Sequence, residues 1–154
     1  MRLEKDEVVA SKNNRLEYLT FFVNDVTFAI NSLYIDSVAS IENITAVPGS
    51  NDSIDGMVYF RGTTIPVVNL GKYLFNRQTE DNKHQYCIVC KYNDKLYAFR
   101  IDGVKSIITV SNHDLIPVDL LLRDSCDMLE GFIASSNREI TEILNIKHII
   151  EQCE

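Results

Sequence analysis

The chain carries one pattern twice. Displaced by 69 residues, YLTFFVNDVTFAINSLYIDSVASIENITAVP (18–48) lies over CIVCKYNDKLYAFRIDGVKSIITVSNHDLIP (87–117) without a gap. Six of the 31 aligned positions are identical: Asn24/Asn93, Asp25/Asp94, Ala29/Ala98, Ser37/Ser106, Asn43/Asn112 and Pro48/Pro117. Apolar positions match as well, Phe28 with Tyr97, Ile35 with Val104, Val38 with Ile107 and Val47 with Ile116. After an insertion in the second copy the correspondence resumes, Gly56 with Gly131 and Asn69-Leu70 with Asn145-Ile146. Low identity with retained turn residues is the trace of a duplicated supersecondary unit, so any acceptable fold must house two equivalent halves.

Each copy reads alike. A strand with Leu19, Phe21 and Val23 on one face meets an Asn-Asp pair, which tolerates positive φ and closes a two-residue hairpin turn. The return strand (26–30 or 96–101) leads into a longer apolar stretch that ends at a proline. Gly56 or Gly131 opens a second hairpin, and Asn69 or Asn145 then caps a short amphipathic helix, LGKYLF or IKHIIEQC. Short strands without a long helical pattern predict a mostly β chain of two small β-barrel lobes. The expected division is a flexible arm over 1–15 and a single domain over 16–154, with lobes at about 16–75 and 86–154 and strand exchange between them allowed. The polar stretch NRQTEDNKHQ (76–85) is the natural connection. Lobes so small bury little alone and are expected to pack on each other.

Composition narrows the function. With 22 acidic against 15 basic residues the net charge is −7, and no basic stripe is present to replace phosphate counterions, which argues against nucleic acid as a partner. No apolar run approaches the roughly 18 residues of a membrane span, and MRLEKDEVVASKNNR lacks the apolar region of a signal peptide. The expected setting is the cytoplasm, with no direct membrane insertion. Cys87 and Cys90 form a C-x-x-C, but inside an apolar strand, where residues three apart face opposite sides and cannot share a metal. In the repeat they fall opposite Tyr18 and Phe21, ordinary core positions. Asp119, Asp124, Asp127 and Glu130 crowd one segment without the ligand spacing of an EF-hand, and read as a solvated acidic insertion. His84, His113 and His148 are isolated. No nucleophile–base set, phosphate-binding loop or H-E-x-x-H occurs, so neither an enzyme, a cofactor nor a metal is expected.

GMVYFRGTTIPVVNLGKYL (56–74) distinguishes the first copy from the second. Arg61-Gly62 reads as the turn of the second hairpin, with glycine supplying positive φ and the arginine standing out at the tip. Pro66 has no N–H, so its strand must be an edge or must aim that residue away from the ladder. The equivalent turn of the second copy falls near Asn137-Arg138 and lacks this chemistry.

The run Ile54-Asp55-Gly56-Met57-Val58-Tyr59-Phe60-Arg61-Gly62-Thr63-Thr64-Ile65-Pro66-Val67-Val68-Asn69-Leu70, following Phe28-Ala29-Ile30-Asn31, resembles the CheW family of chemotaxis coupling proteins. Ile101-Asp102-Gly103-Val104 is similar to a second signature of that family, and the likeness spans about residues 16–150. It implies a pair of five-stranded barrels and a non-enzymatic scaffold. The partners it implies are the chemoreceptor tip and the regulatory domain of the chemotaxis histidine kinase, with other CheW-like domains as further candidates. That kinase domain shares the double-barrel fold.

Carried over by position, the resemblance assigns Arg61, Gly62, Ile35, Val38 and Val104 to receptor binding, and Gly56 and Val47 to the kinase contact. An i, i+3 pair such as Ile35 and Val38 on a strand must also place one residue on each face. Ser37 stands where the family often has the glutamate that pairs with the arginine, leaving Asp36 or Asp55 as substitutes, and Tyr59 stands where asparagine is common. Two alternatives stay open: an auxiliary CheW-like protein that competes for or modifies array assembly, and a ligand- or oligonucleotide-binding β-barrel protein.

Overall fold

The computed structural model describes residues 15–76, 85–118, 127–135 and 139–153. The proposed arm up to Asn14, the linker from Arg77 to His84, Asp119, Asp124, Cys126 and the Asn137-Arg138 turn lie outside the described residues. Arg15, counted above with the arm, already pairs with Ser111 in the first strand.

Among the described residues are eleven strands and two short α-helices: β1 (Arg15–Val23), β2 (Val26–Asn31), β3 (Ile35–Ile41), β4 (Ile54–Phe60), β5 (Thr63–Asn69), α1 (Leu70–Phe75), β6 (Gln85–Tyr92), β7 (Lys95–Ile101), β8 (Gly103–Ser111), β9 (Leu115–Pro117), β10 (Leu129–Ala134), β11 (Ile140–Leu144) and α2 (Ile146–Cys153). Asn24-Asp25, Asn93-Asp94 and Arg61-Gly62 all have positive φ at both residues, the signature of two-residue type I′ hairpins. The Asn69 and Asn145 side chains accept the backbone N–H groups of Lys72 and His148, each at 3.1 Å, and so cap the two helices.

The strands form a six-stranded sheet in the order β8-β1-β2-β11-β10-β9 and a five-stranded sheet in the order β3-β6-β7-β5-β4. Each sheet therefore draws on both copies of the repeat. β1 pairs with β8 and β3 with β6, while β2 and β7 take parallel partners, β11 and β5. The two orders superpose when copy one is exchanged for copy two, the sixth strand β9 corresponding to an isolated bridge between Thr45 and Met57.

Three apolar clusters follow from this plan. The largest lies between the sheets and joins Leu19, Phe21 and Phe28 from one to Ile88, Cys90 and Phe99 from the other, with Ile146, Ile149 and Ile150 of α2 packed against them. A smaller cluster on the far face of the five-stranded sheet takes residues from all five strands, among them Ile41, Val58 and Val89. Its counterpart around Tyr18, Ala29, Val110, Ile133 and Ile143 serves the other sheet.

The β content and mutual packing agree with the expectation, but the picture of two closed five-stranded barrels is corrected. One sheet has six strands, and no ladder closes either sheet among the described residues. The physical reason is that beyond Ile41 the chain makes one bridge to β4, at Thr45, instead of a continuous strand pairing. Strand curvature still brings both margins of the five-stranded sheet around one small core.

Candidate functional site

The arginine tip is built by a hairpin whose register is set at its base. Gly56 sits in a β-bulge with φ +152°, and a Cβ there would lie 2.2 Å from the Thr45 carbonyl oxygen. Glycine is required by that close approach alone. Gly131 repeats the arrangement, with a Cβ position 2.7 Å from the Ile116 carbonyl oxygen. At the other end Arg61 (φ 49°) and Gly62 (φ 83°) turn the chain, and the Arg61 guanidinium lies 4.8 Å above the Phe60 ring. Arg61 Nη1 donates to Asp36 Oδ2 at 2.8 Å, and the Ser37 hydroxyl donates to the same oxygen at 3.0 Å. Of the two acids considered for Arg61, Asp36 is its partner.

Asp55 has a different task. It accepts from Arg100 Nη1 at 2.8 Å and from Asn69 Nδ2 at 3.2 Å, tying β4 to the end of β7 and to the helix cap. Arg100 is buried and escapes sequence reasoning, although a charge within the apolar run LYAFRI, opposite Asn31 in the repeat, is a usable signal. Asp102, in the Ile-Asp-Gly-Val signature, accepts the Asn24 N–H at 2.7 Å and donates its own N–H to the Phe22 carbonyl at 2.9 Å. The corner where the chain passes between sheets is thereby fastened to the first hairpin.

Ile35 and Val38 share a face, against the expectation of one on each: the bulge between Ile35 and Ser37 sets Ile35 opposite Cys90 and Val38 opposite Ile88, both residues of the inter-sheet core. Ile35 is half-buried against that core, whereas Val38 is 44% exposed. Cross-strand partners share a sheet face, and Val38 stands opposite Ile88, Val104 opposite Phe21 and Ile107 opposite Leu19, all three partners being inter-sheet core residues. Val38, Val104 and Ile107 therefore belong to the core-facing sides of the sheets, but lie on margin strands β3 and β8 where they remain exposed. Val47 is exposed on the loop before β4. Tyr59, 75% exposed on margin strand β4, adds an apolar surface near the tip.

Cys87 and Cys90 are fully buried on opposite faces of β6, one in each core. Burial pushes the Cys87 thiol up to about 12 and raises Cys90 further. Both are unreactive structural residues, as their place in the repeat implied.

An exchanged pair of β-sheets with exposed apolar margins and a charged hairpin tip is the build of an interaction module. The whole of residues 17–154 matches the model of the CheW-like domain. The chain belongs to the CheW-like family, whose members are chemotaxis scaffolds and not enzymes. It is 26% identical to the chemotaxis protein CheW of Helicobacter pylori over 137 residues, covering 89% of this chain and 82% of that protein. To the chemotaxis protein CheW of Thermotoga maritima it is 28% identical over 109 residues, 71% of this chain and 72% of that one. The crystal structure of the scaffolding protein CheW of Thermoanaerobacter tengcongensis shares the fold, with a TM-score of 0.74 and 18% identity over 84% of this chain and 88% of that one. The chain is an adaptor of the chemotaxis system.

Proposed function

We propose that this adaptor joins the cytoplasmic tip of a chemoreceptor to the regulatory domain of the chemotaxis histidine kinase, acting in the cytoplasm within receptor arrays. The observation that carries the reading is the exposure of Val38 and Val104 on the core-facing sides of the two sheets, Val38 lying two residues along β3 from the Asp36 partner of Arg61. An apolar strip with a charged rim suits a helical receptor hairpin, whose own apolar stripe it would cover. In this reading Arg61 and Gly62 form the rim, Val38 and Val104 meet the receptor, and Ile35 supports Val38 from the core. Gly56 fixes the backbone leading to Val47, and these two serve the kinase contact. Curled as they are around separate small cores, the two sheets act as the paired barrels of the family.

The test is reconstitution with receptor fragments and kinase, reading co-sedimentation and kinase activity. Arg61→Glu and Val104→Asp each abolish kinase activation while leaving the circular dichroism spectrum unchanged. Full activation by both variants would remove the receptor assignment.

A further inference from the structure

The same joint occurs once in each sheet, so one half of the chain serves as a control for the other. β4 and β10 both bulge just before a glycine, Asp55 being the extra residue ahead of Gly56 and Glu130 the extra residue ahead of Gly131. At each joint the helix-capping asparagine donates its N–H back across the bulge. Asn69 donates to the Ser53 carbonyl at 2.7 Å, and Asn145 to the Met128 carbonyl at 2.8 Å. The neighbouring strands correspond as well, with Arg100 of β7 opposite Cys87 of β6 and Asn31 of β2 opposite Tyr18 of β1. The two bulge carboxylates reach equivalent places, because the charge of Asp55 acts on Cys87 and that of Glu130 on Tyr18.

The joints differ in one charge. Asp55 is met by the Arg100 guanidinium at 2.8 Å. Asn31 stands at the counterpart of Arg100, is neutral, and has its side-chain oxygen engaged with the Leu33 N–H at 2.9 Å. Glu130 has no hydrogen bond or ion pair among the described residues.

The titratable groups on the elements around β10 are Asp127 ahead of it, Glu142 of β11, and Lys147, His148 and Glu151 of α2. None of them bonds to Glu130, and β9 carries none. On the β1 side stands Tyr18, with Tyr34 beyond it; Tyr18 is pushed up to about 12 by burial and then by Glu130, and stays neutral. A carboxylate packed among other groups without a cation is disfavoured, and protonation is the alternative to pairing. Glu130 is open to solvent on one side, while packing on the other pushes its carboxyl up from 4.5 to about 7.

We propose that the joint of the six-stranded sheet is proton-sensitive: Glu130 takes a proton where Asp55 takes an arginine, and the junction of β10 with α2 is tight while Glu130 is neutral and loosens when it ionises. The folded carboxyl holds its proton more firmly than the unfolded one. Its contribution to stability is therefore complete below about pH 4.5 and is lost as pH rises through about 7. The Arg61 hairpin belongs to the other sheet, where Arg100 already neutralises the joint.

The test combines a carboxyl-carbon NMR titration of the full chain with amide exchange between about pH 6 and about pH 8. Glu130 titrates near pH 7. Protection of the Asn145 amide is divided by that of Asn69, which cancels the hydroxide dependence common to both. The ratio falls by up to about tenfold across the interval, the limit set by a carboxyl that returns to its ordinary range when the joint opens. Glu130→Gln makes the ratio independent of pH. Asn31→Arg places a guanidinium at the counterpart of Arg100 and returns the Glu130 midpoint to the ordinary carboxylate range. A Glu130 midpoint near 4.5 in the unaltered chain overturns the proposal. So does a ratio that stays flat, a ratio that still falls in Glu130→Gln, or a folded Asn31→Arg chain whose midpoint has not moved.

Discussion

Arg61 and Asp36 belong to opposite margins of one five-stranded sheet, yet their side chains meet at 2.8 Å. The contact spans from the start of β3 to the turn after β4 and pins the curl of the sheet at one end. Arg61 is 61% exposed, and exposed ion pairs contribute about 0–1 kcal/mol. We therefore expect Arg61→Ala to shift the urea midpoint only slightly. Kinase activation falls far more than stability, and a double-mutant cycle with Asp36→Asn yields a coupling energy below about 1 kcal/mol. A large loss of stability would instead make Arg61 a structural residue.

The second pair behaves oppositely. Arg100 is 9% exposed beside Asp55, which also holds the Asn69 cap of α1. Arg100→Met strips Asp55 of its cation and loosens the join between β4, β7 and the helix. A destabilisation of about 3 kcal/mol is expected in chemical denaturation, well above that of Arg61→Ala. Equal losses for the two variants would contradict this division of labour.

Three glycines are predicted to rank by geometry. At Gly56 an added methyl meets the Thr45 carbonyl at 2.2 Å with φ at +152°, so Gly56→Ala is expected to cost about 3 kcal/mol or more. Gly131→Ala meets a carbonyl at 2.7 Å without the strained φ and costs less. Gly62→Ala has open space and only an unfavourable φ of +83°, for about 1 kcal/mol. Thermal unfolding of the three variants gives the order directly.

Alkaline stability follows from the buried thiols. Cys87 rises from 9.0 to about 12 through burial, and Cys90 moves the same way. In the unfolded chain both ionise near pH 9, while the native thiols stay protonated, so the unfolded state binds fewer protons above that pH. Their contribution is constant below about pH 9 and declines between pH 9 and 12, with a slope approaching about 1.4 kcal/mol per pH unit for each thiol. Cys87→Ala with Cys90→Ala should flatten that decline. In the native protein at pH 8, alkylation should spare both residues and modify them only after unfolding.

The local architecture was legible because its signals are local. Asn24-Asp25 and Asn93-Asp94 announce hairpins through their tolerance of positive φ, and Asn69 and Asn145 announce helices through their caps. Strand partners were not legible. Nothing in LTFFV says that Phe21 lies opposite Val104, because a pairing across the length of the chain leaves no local mark. Pro66 shows the limit clearly. Proline permitted an edge strand or a residue turned from the ladder, and β5 proves to be an interior strand whose pairing with β7 begins one residue later. For Arg61 two acids remained open, and only the curl of the sheet separates them: Asp36 goes to the tip and Asp55 to the buried Arg100.

The sharing of strands between halves gives the chain the topology of an intertwined homodimer whose two subunits have been joined end to end. Residues 15–76 alone would contribute β1 and β2 to one sheet and β3, β4 and β5 to another, completing neither. Each half is left with bare strand edges and half of the inter-sheet core, so the molecule must fold and melt as one unit. Cutting the chain between α1 and β6 would sever no strand pairing among the described residues, and would yield two fragments each of whose missing partner is the other.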